Sequence, residues 1–125
     1  MGKIERMRRQ HAHHLAREER VLASVRGTVE SAHGDPWTGL LLATNRRIVF
    51  LADDRATYLP YAAIDRVQRG TSLLGSYVAL TMGEHEVRIK WIDSRRVRPF
   101  VRAVRSAVRR AHPRRRRWSI ARSAT

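Results

Sequence analysis

Between residues 21 and 91 the chain alternates apolar and polar positions in short stretches separated by turn-forming residues. In the first stretch, apolar or small residues occupy every second position from Val21 to Val29, which is the period of a strand with one buried face. Six similar stretches follow. Asn45, which tolerates the positive φ of a tight hairpin turn, separates the second from the third, and Pro60 stops the fourth. The pattern therefore predicts seven short antiparallel strands. They span about residues 21–31, 37–44, 47–53, 56–60, 64–69, 76–82 and 86–91.

After the last strand the apolar period changes to steps of three and four residues, which is typical of an amphipathic helix. Pro99 has to lie in the first turn, because a proline deeper in a helix removes a hydrogen bond and clashes with the preceding turn. The helix is therefore predicted at about residues 96–112, with Asp93 or Ser94 as its capping residue. Its apolar positions are Val97, Phe100, Val101, Val104, Val108 and Ala111.

The two ends of the chain have a different character. Near the N-terminus, a weaker helical pattern over residues 4–19 places Ile4, Met7, His11 and Leu15 on one side. The C-terminal end is polar and basic, which predicts disorder. The chain is thus divided into an N-terminal helical segment at 1–20, a domain at 21–112 and a basic disordered tail at 113–125.

The hairpin from Gly39 to Phe50 resembles the bacterial pleckstrin-homology (PH) domains of the YokE-like kind. Those domains carry an apolar run, Thr-Asn, a basic residue, Arg, two apolar residues and Phe at their second and third strands, as residues 40–50 do here. Leu59–Val67 is similar to the segment that follows in the same families. The resemblance covers about residues 18–111. It implies an α+β fold, mainly β, in which a PH-like seven-stranded antiparallel barrel of two packed sheets is capped by a C-terminal helix, and a noncatalytic binding or scaffolding module.

A phosphoinositide site is not predicted. Eukaryotic PH domains that bind phosphoinositides place lysine and arginine in the loop between their first two strands. Here that loop is His33–Pro36, which contains one acidic residue and no basic one. The fold by itself does not name a ligand.

The net charge of +15 is distributed unevenly along the chain. Residues 21–93 contain equal numbers of acidic and basic side chains, whereas residues 94–125 contain twelve arginines and no acid. The positive charge therefore belongs mainly to the helix and tail, not to the predicted strands. A partner for these arginines would be an anion, since planar guanidinium groups bind carboxylates and phosphates in bidentate fashion.

The C-terminal helix is the best candidate binding element. A basic ridge beside the apolar stripe is formed by arginines that recur every three or four residues, namely Arg95, Arg98, Arg102, Arg105 and Arg109. This ridge is interpreted either as a contact for an anionic phospholipid surface or another polyanion, or as a solvated helix face.

A second candidate lies in the tail, where Arg114, Arg115, Arg116 and Arg117 precede Trp118. Trp118 is able to lie at a lipid headgroup interface or to stack on a base, so this run predicts a polyanion partner without choosing between lipid and nucleic acid.

Catalytic and metal chemistry are poorly supported. The chain has no cysteine, no Gly-rich phosphate loop and no paired-carboxylate motif, so we expect no enzyme, no cofactor and no small-molecule substrate. His11, His13 and His14 are interpreted as surface histidines, because a stable zinc site needs three or four ligands. Leu73 and Leu74 in a predicted turn indicate packing across the barrel mouth or, alternatively, an exposed tip for a membrane or partner.

Two functional hypotheses follow. The first is a binding module that engages a protein partner or a peripheral anionic membrane, with the arginine-rich helix and tail adding electrostatic attraction. The second is a nucleic-acid-associated protein that binds phosphates through the tail. Because no apolar run approaches the roughly 18 residues of a membrane span, we expect a cytoplasmic location, including the inner face of the membrane. The resemblance to bacterial PH domains also implies homo-oligomerisation through sheet edges.

Overall fold

Seven antiparallel strands and a C-terminal helix make up most of the described structure. The computed structural model describes residues 2, 6, 14–31, 34–52, 55–73, 75–91 and 96–112. Within these ranges the predicted α+β order of seven strands and one C-terminal helix is confirmed. The elements are β1 (Val21–Ser31), β2 (Gly34–Thr44), β3 (Arg47–Ala52), β4 (Arg55–Pro60), a short 3-10 helix (Tyr61–Ala63), β5 (Arg66–Ser72), β6 (Gly75–Met82), β7 (His85–Trp91) and α1 (Val97–Ala111).

All seven strands belong to one continuous sheet in the order β4-β3-β2-β1-β7-β6-β5. The resemblance implied a barrel of two packed sheets, and in the structure β1 joins the two halves into this one continuous sheet. The full length of β1 pairs with β2, and its second half, from Gly27 to Ser31, also pairs with β7. The sheet therefore has two edges, β4 and β5, which lie at opposite ends of the strand order.

The main core lies on one face of this sheet and is covered by α1. Alternate strand residues such as Val25, Leu41 and Ile89 point into it and are fully buried. Phe100 and Val104 of α1 are fully buried against them. The apolar stripe of the helix thus packs on the sheet, as its period indicated.

A second, smaller cluster lies on the opposite face of the β2–β3 hairpin. Leu40, Leu42, Val49 and Leu51 are all buried there. Since their neighbours along each strand point into the main core, the hairpin is apolar on both faces. This explains why residues 40–43 and 48–52 appear in the sequence as continuous apolar runs and not as an alternation.

Two bulges alter the strand boundaries and faces expected from the alternation. Between Val21 and Ala23 the register with β2 shifts, so Val21 packs on the outer cluster while Ala23 packs on the main core. Between Val29 and Ser31 a second shift accommodates Pro36 within β2, which begins at Gly34 and not after the proline. A bulge tolerates proline because the residue needs no ladder hydrogen bond there.

The helix begins at Val97 and places Pro99 in its first turn, as predicted. Its capping residue is Arg96, whose side chain makes no capping hydrogen bond. The expected caps at residues 93 and 94 lie outside the described residues. At the other end, His112 Nε2 lies 2.9 Å from the carbonyl oxygen of Ile64, which ties the end of α1 to the segment before β5.

The N-terminal helix predicted over residues 4–19 does not extend through the described residues 14–20, where the chain turns. Glu18 has a φ of 67°, a left-handed conformation that ends any helix. Most of residues 4–13 lie outside the described part of the chain. Across the described residues, no helix has the length and apolar character needed to cross a membrane.

Candidate anion-binding groove

A groove of about 460 Å³ lies between the edge strand β5 and the helix α1. We call it the arginine groove, because most of its lining consists of arginine side chains. The remaining lining residues are the buried Val101 and the exposed Ser106. The arginines are Arg69, Arg98, Arg102, Arg105 and Arg109.

The helix supplies four of these arginines because of its period. Phe100 and Val104 turn inward to the core, while Arg98, Arg102 and Arg105 are exposed on the adjoining face. At 1.5 Å of rise per residue, the eleven steps from Arg98 to Arg109 correspond to about 16 Å along the helix axis. The four predicted helix arginines are thus brought together on one wall of the groove.

The fifth arginine comes from β5. Val67 packs against the main core, and Arg69, two residues further along the strand, shares its face because side chains alternate. Arg69 lies on the edge strand, is exposed and lines the groove together with the helix arginines. Arg69 was not predicted as a site residue, since nothing in the local pattern of β5 indicates which helix residues lie beside it.

The electrostatics of the groove are unbalanced. The ion pairs described in the structure, Arg47–Glu19, Arg88–Glu86 and Lys90–Glu30, are all elsewhere. Among the described residues, none of the five groove arginines pairs with a carboxylate, and no acidic side chain lines the groove. Arginines three and four residues apart on a helix repel each other by about 0.2–0.5 kcal/mol per pair.

Helix stability does not account for this arrangement. Arg109 lies in the last turn of α1, where a positive charge is favourable. Arg98, however, lies in the first turn, where a positive charge opposes the helix macrodipole, and no acidic residue is present in that turn. An anion in the groove would relieve both the repulsion between neighbouring arginines and the unfavourable position of Arg98.

The other predicted site residues lie outside the described part of the chain. These are Arg114, Arg115, Arg116, Arg117 and Trp118. The same holds for Arg95 of the predicted ridge, for His11 and His13 of the histidine cluster, and for Leu74. Leu73 is described, and it lies fully exposed at the tip of the β5–β6 hairpin. It therefore does not pack across the barrel mouth.

The Thr-Asn-Arg-Arg stretch, which carried the family resemblance, has a structural role in the β2–β3 hairpin. Glu19, whose side chain is fully buried, accepts a hydrogen bond of 2.6 Å from Thr44 Oγ1. It also accepts two from Arg47, at 3.0 Å from Nε and 2.9 Å from Nη2, and one of 2.9 Å from the backbone N–H of Ala16. These bonds fasten the segment before β1 to the hairpin.

Asn45 contributes to the same attachment, and this corrects the role predicted for it. Among the described residues, Glu18 is the one non-glycine residue with a positive φ, so Asn45 does not adopt the predicted conformation. Its side-chain oxygen instead accepts a 2.7 Å hydrogen bond from the N–H of Arg20, and its own N–H donates to the carbonyl of Arg20. The residue is needed for these hydrogen bonds.

The ionisation of this cluster follows from its contacts. Burial raises the pKa of Glu19, but the hydrogen bonds from Arg47, Thr44 and Ala16 lower it by more together, so the pKa lies below its ordinary value. The hydrogen bond to Glu19 raises the pKa of Arg47. Arg47 also stacks on the ring of Tyr58, with its Cζ 4.1 Å from the ring centroid. This cluster is therefore structural and its arginine is already paired, unlike those of the groove.

An antiparallel seven-stranded sheet with a C-terminal helix packed on its core defines the class of PH-like domains, which are generally noncatalytic modules that mediate protein or lipid interactions. The chain belongs to the bacterial PH domain family, whose model, described as "Bacterial PH domain", matches residues 15–106. No curated protein matches it.

Among solved structures, the chain is similar to the C-terminal domain of an unknown protein from Leishmania infantum. The TM-score is 0.61 at 11% sequence identity, and the alignment covers 83% of this chain and 96% of that one. At this identity the likeness concerns the fold alone.

Proposed function

We propose that this chain is a noncatalytic PH-like binding module that holds an anion-bearing partner in the arginine groove. The observation that carries the proposal is the convergence of five exposed arginines from two elements, β5 and α1, on one groove that no carboxylate of the described residues lines. A single exposed ion pair contributes little because water screens it, so the proposal depends on several arginines acting on one ligand together.

The ligand chemistry is that of a carboxylate or a phosphate, because both match the planar fork of a guanidinium group and accept two parallel hydrogen bonds from it. Such groups are supplied by an acidic protein partner or by an anionic phospholipid surface. We further propose a cytoplasmic location, with the inner face of the membrane included, and membership of the YokE-like kind of bacterial PH domain, on the strength of the Gly39–Phe50 hairpin.

An NMR titration of the full chain with pyrophosphate at constant ionic strength tests the proposal. Shifts are expected at the Nε–H of Arg69 and at the backbone amides of α1. The variant Arg102→Glu/Arg105→Glu should lose at least about tenfold in affinity, since two charge-assisted contacts are reversed.

A matched control is Arg46→Glu/Arg55→Glu, which has the same net charge and alters two exposed arginines away from the groove. It should bind pyrophosphate within about twofold of the wild-type chain, allowing for its lower net charge. Equal losses in the two variants would mean that net charge alone attracts the anion, and the groove would then not be the site.

Nucleic acid is the second candidate partner, favoured by the run Arg114–Arg117 followed by Trp118. Non-specific binding to duplex DNA through this run should weaken steeply as salt rises. It should also be lost when the chain is truncated after His112. Duplex affinity that survives the truncation unchanged would overturn this alternative.

A further inference from the structure

The open edge of the sheet lies beside the arginine groove. β5 is the last strand in the order and pairs with β6 alone. Apart from this ladder, no backbone hydrogen bond joins any described residue to Arg66–Ser72. Every second residue of an edge strand presents its N–H and C=O groups on the open side. A set of unused backbone donors and acceptors therefore adjoins the five arginines.

The dimensions suit a short extended segment. β5 has seven residues, which at about 3.3 Å per residue cover about 20 Å. The helix arginines of the groove extend over about 16 Å. Either length accommodates about five residues of extended chain, which is enough to form several backbone hydrogen bonds with β5.

Strand addition would also determine which side chains enter the groove. In an added strand, every second side chain points to the same face of the sheet as Val67 and Arg69, at intervals of about 6.8 Å. The side chains between them point to the opposite face, where Arg66 and Gln68 lie exposed. A segment with acidic residues at every second position would therefore place all its carboxylates on the groove side.

Charge selects the occupant of this edge. A second copy of the chain, paired through its own β5, would bring two sets of groove arginines together, so self-association at this edge is opposed. Arginine on an edge strand is a known means of preventing such pairing. The same positive charge attracts an acidic segment, whose carboxylates would meet guanidinium groups that no described carboxylate already occupies.

We propose that the arginine groove receives an extended acidic segment of a protein partner, which adds to β5 as an eighth strand and directs alternate carboxylates at Arg69 and the arginines of α1. This inference rests on the proposed function and specifies the partner and the mode of binding. Main-chain hydrogen bonds to β5 supply part of the affinity, and the alternation of acidic side chains supplies the specificity.

The test uses the full chain and synthetic peptides of about nine residues with glutamate at every second position. A second peptide has the same composition with its glutamates in one block. Isothermal titration should give an affinity about tenfold higher for the alternating peptide, because the block directs only half of its carboxylates into the groove.

Two N-methylated versions of the alternating peptide test the backbone contacts. In each, every second amide is methylated, and the two versions differ in which set is blocked. If the peptide adds to β5, one version loses binding by about tenfold or more and the other retains it, because only one set of N–H groups faces β5. Equal binding of both versions would overturn strand addition while leaving the groove as an anion site.

Variants of the chain test the face of β5. Arg69→Glu should weaken the alternating peptide strongly, whereas Arg66→Glu, which makes the same charge change on the opposite face of the same strand, should weaken it far less. Equal weakening would contradict the predicted direction of the carboxylates. Hydrogen exchange should also slow at β5 amides when the peptide binds.

Vesicles containing phosphatidylglycerol distinguish the other source of anions. If such vesicles bind through Arg102 and Arg105 while no acidic peptide binds, the occupant is a lipid surface and the inference is wrong, although the proposed function stands. If pyrophosphate, peptide and vesicles all fail to bind, the proposed function itself is overturned.

Discussion

Replacing Glu19 by alanine should destabilise the fold far more than its position before the first strand suggests. The change removes four hydrogen bonds, including both contacts to Arg47, and leaves the hydroxyl of the buried Thr44 without its carboxylate acceptor. Removing one member of a buried ion pair costs about 3–5 kcal/mol. Because the Arg47 side chain is 28% exposed, water partly replaces its lost partner, so we expect the lower end of this range, about 3 kcal/mol.

Urea unfolding at pH 7, followed by tryptophan fluorescence, measures this loss. With a slope of about 2 kcal/mol per molar urea, the midpoint should fall by about 1.5 M. Glu86→Ala is the matched control. Its pair with Arg88 is as short, at 2.7 Å, but the two side chains are 45% and 52% exposed. The control should lose less than about 1 kcal/mol.

The comparison between the two variants isolates burial as the cause. If Glu19→Ala also lowered the free energy of unfolding by less than about 1 kcal/mol, the hydrogen bonds of Glu19 would contribute no more than a surface ion pair does. The attachment of residues 16–20 to the hairpin would then contribute little to folding, and the structural role assigned to the Thr44–Arg47 stretch would be wrong.

Three further predictions concern stability. The pKa of Glu19 is lowered in the folded state, so the wild-type chain should have a higher free energy of unfolding than Glu19→Gln. This difference should be full above the unfolded pKa of about 4.3 and should shrink as the pH falls through the folded pKa. If urea unfolding gave the same difference across this pH range, the lowered pKa of Glu19 would be contradicted. Gly39→Ala should lower the free energy of unfolding by at least about 2 kcal/mol, because a Cβ there would clash with the backbone oxygen of Leu51. Gly34→Ala should change it little, since the nearest atom of the described residues that its Cβ would meet is Ser31 Oγ, at 3.8 Å; similar losses in thermal unfolding would refute the steric argument. Leu73→Ser should alter the free energy of unfolding by less than about 0.5 kcal/mol, since the side chain is fully exposed. A larger decrease, measured by urea unfolding, would show that the tip of the β5–β6 hairpin packs on the rest of the fold.

The strand pattern could be predicted from the sequence because burial of one sheet face imposes a period of two on the side chains. The prediction failed where the backbone departs from that period. A bulge admits Pro36 into β2, and another moves Val21 to the opposite face from Ala23. Composition does not distinguish a bulge from a turn, since proline occurs in both.

The candidate site was also predictable only where side-chain periodicity determines it. The helix period alone places Arg98, Arg102 and Arg105 on one face. The contribution of Arg69 depends on how β5 lies against α1, which is a tertiary property. Glu19 was missed because its partner Arg47 is 28 residues away, and an acidic residue next to a strand has no distinctive local pattern.

The double-sided burial of the β2–β3 hairpin has a consequence for how the domain opens and closes locally. Amides of a hairpin enclosed on both faces exchange with solvent only when the whole domain unfolds, whereas those of an exposed edge strand exchange through small local openings. The hairpin should therefore be the slowest-exchanging unit of the chain, and β5, at the end of the sheet, one of the fastest. The acidic segment proposed above would then bind a strand of low local stability, while most of the stability of the fold would come from the hairpin and the main core.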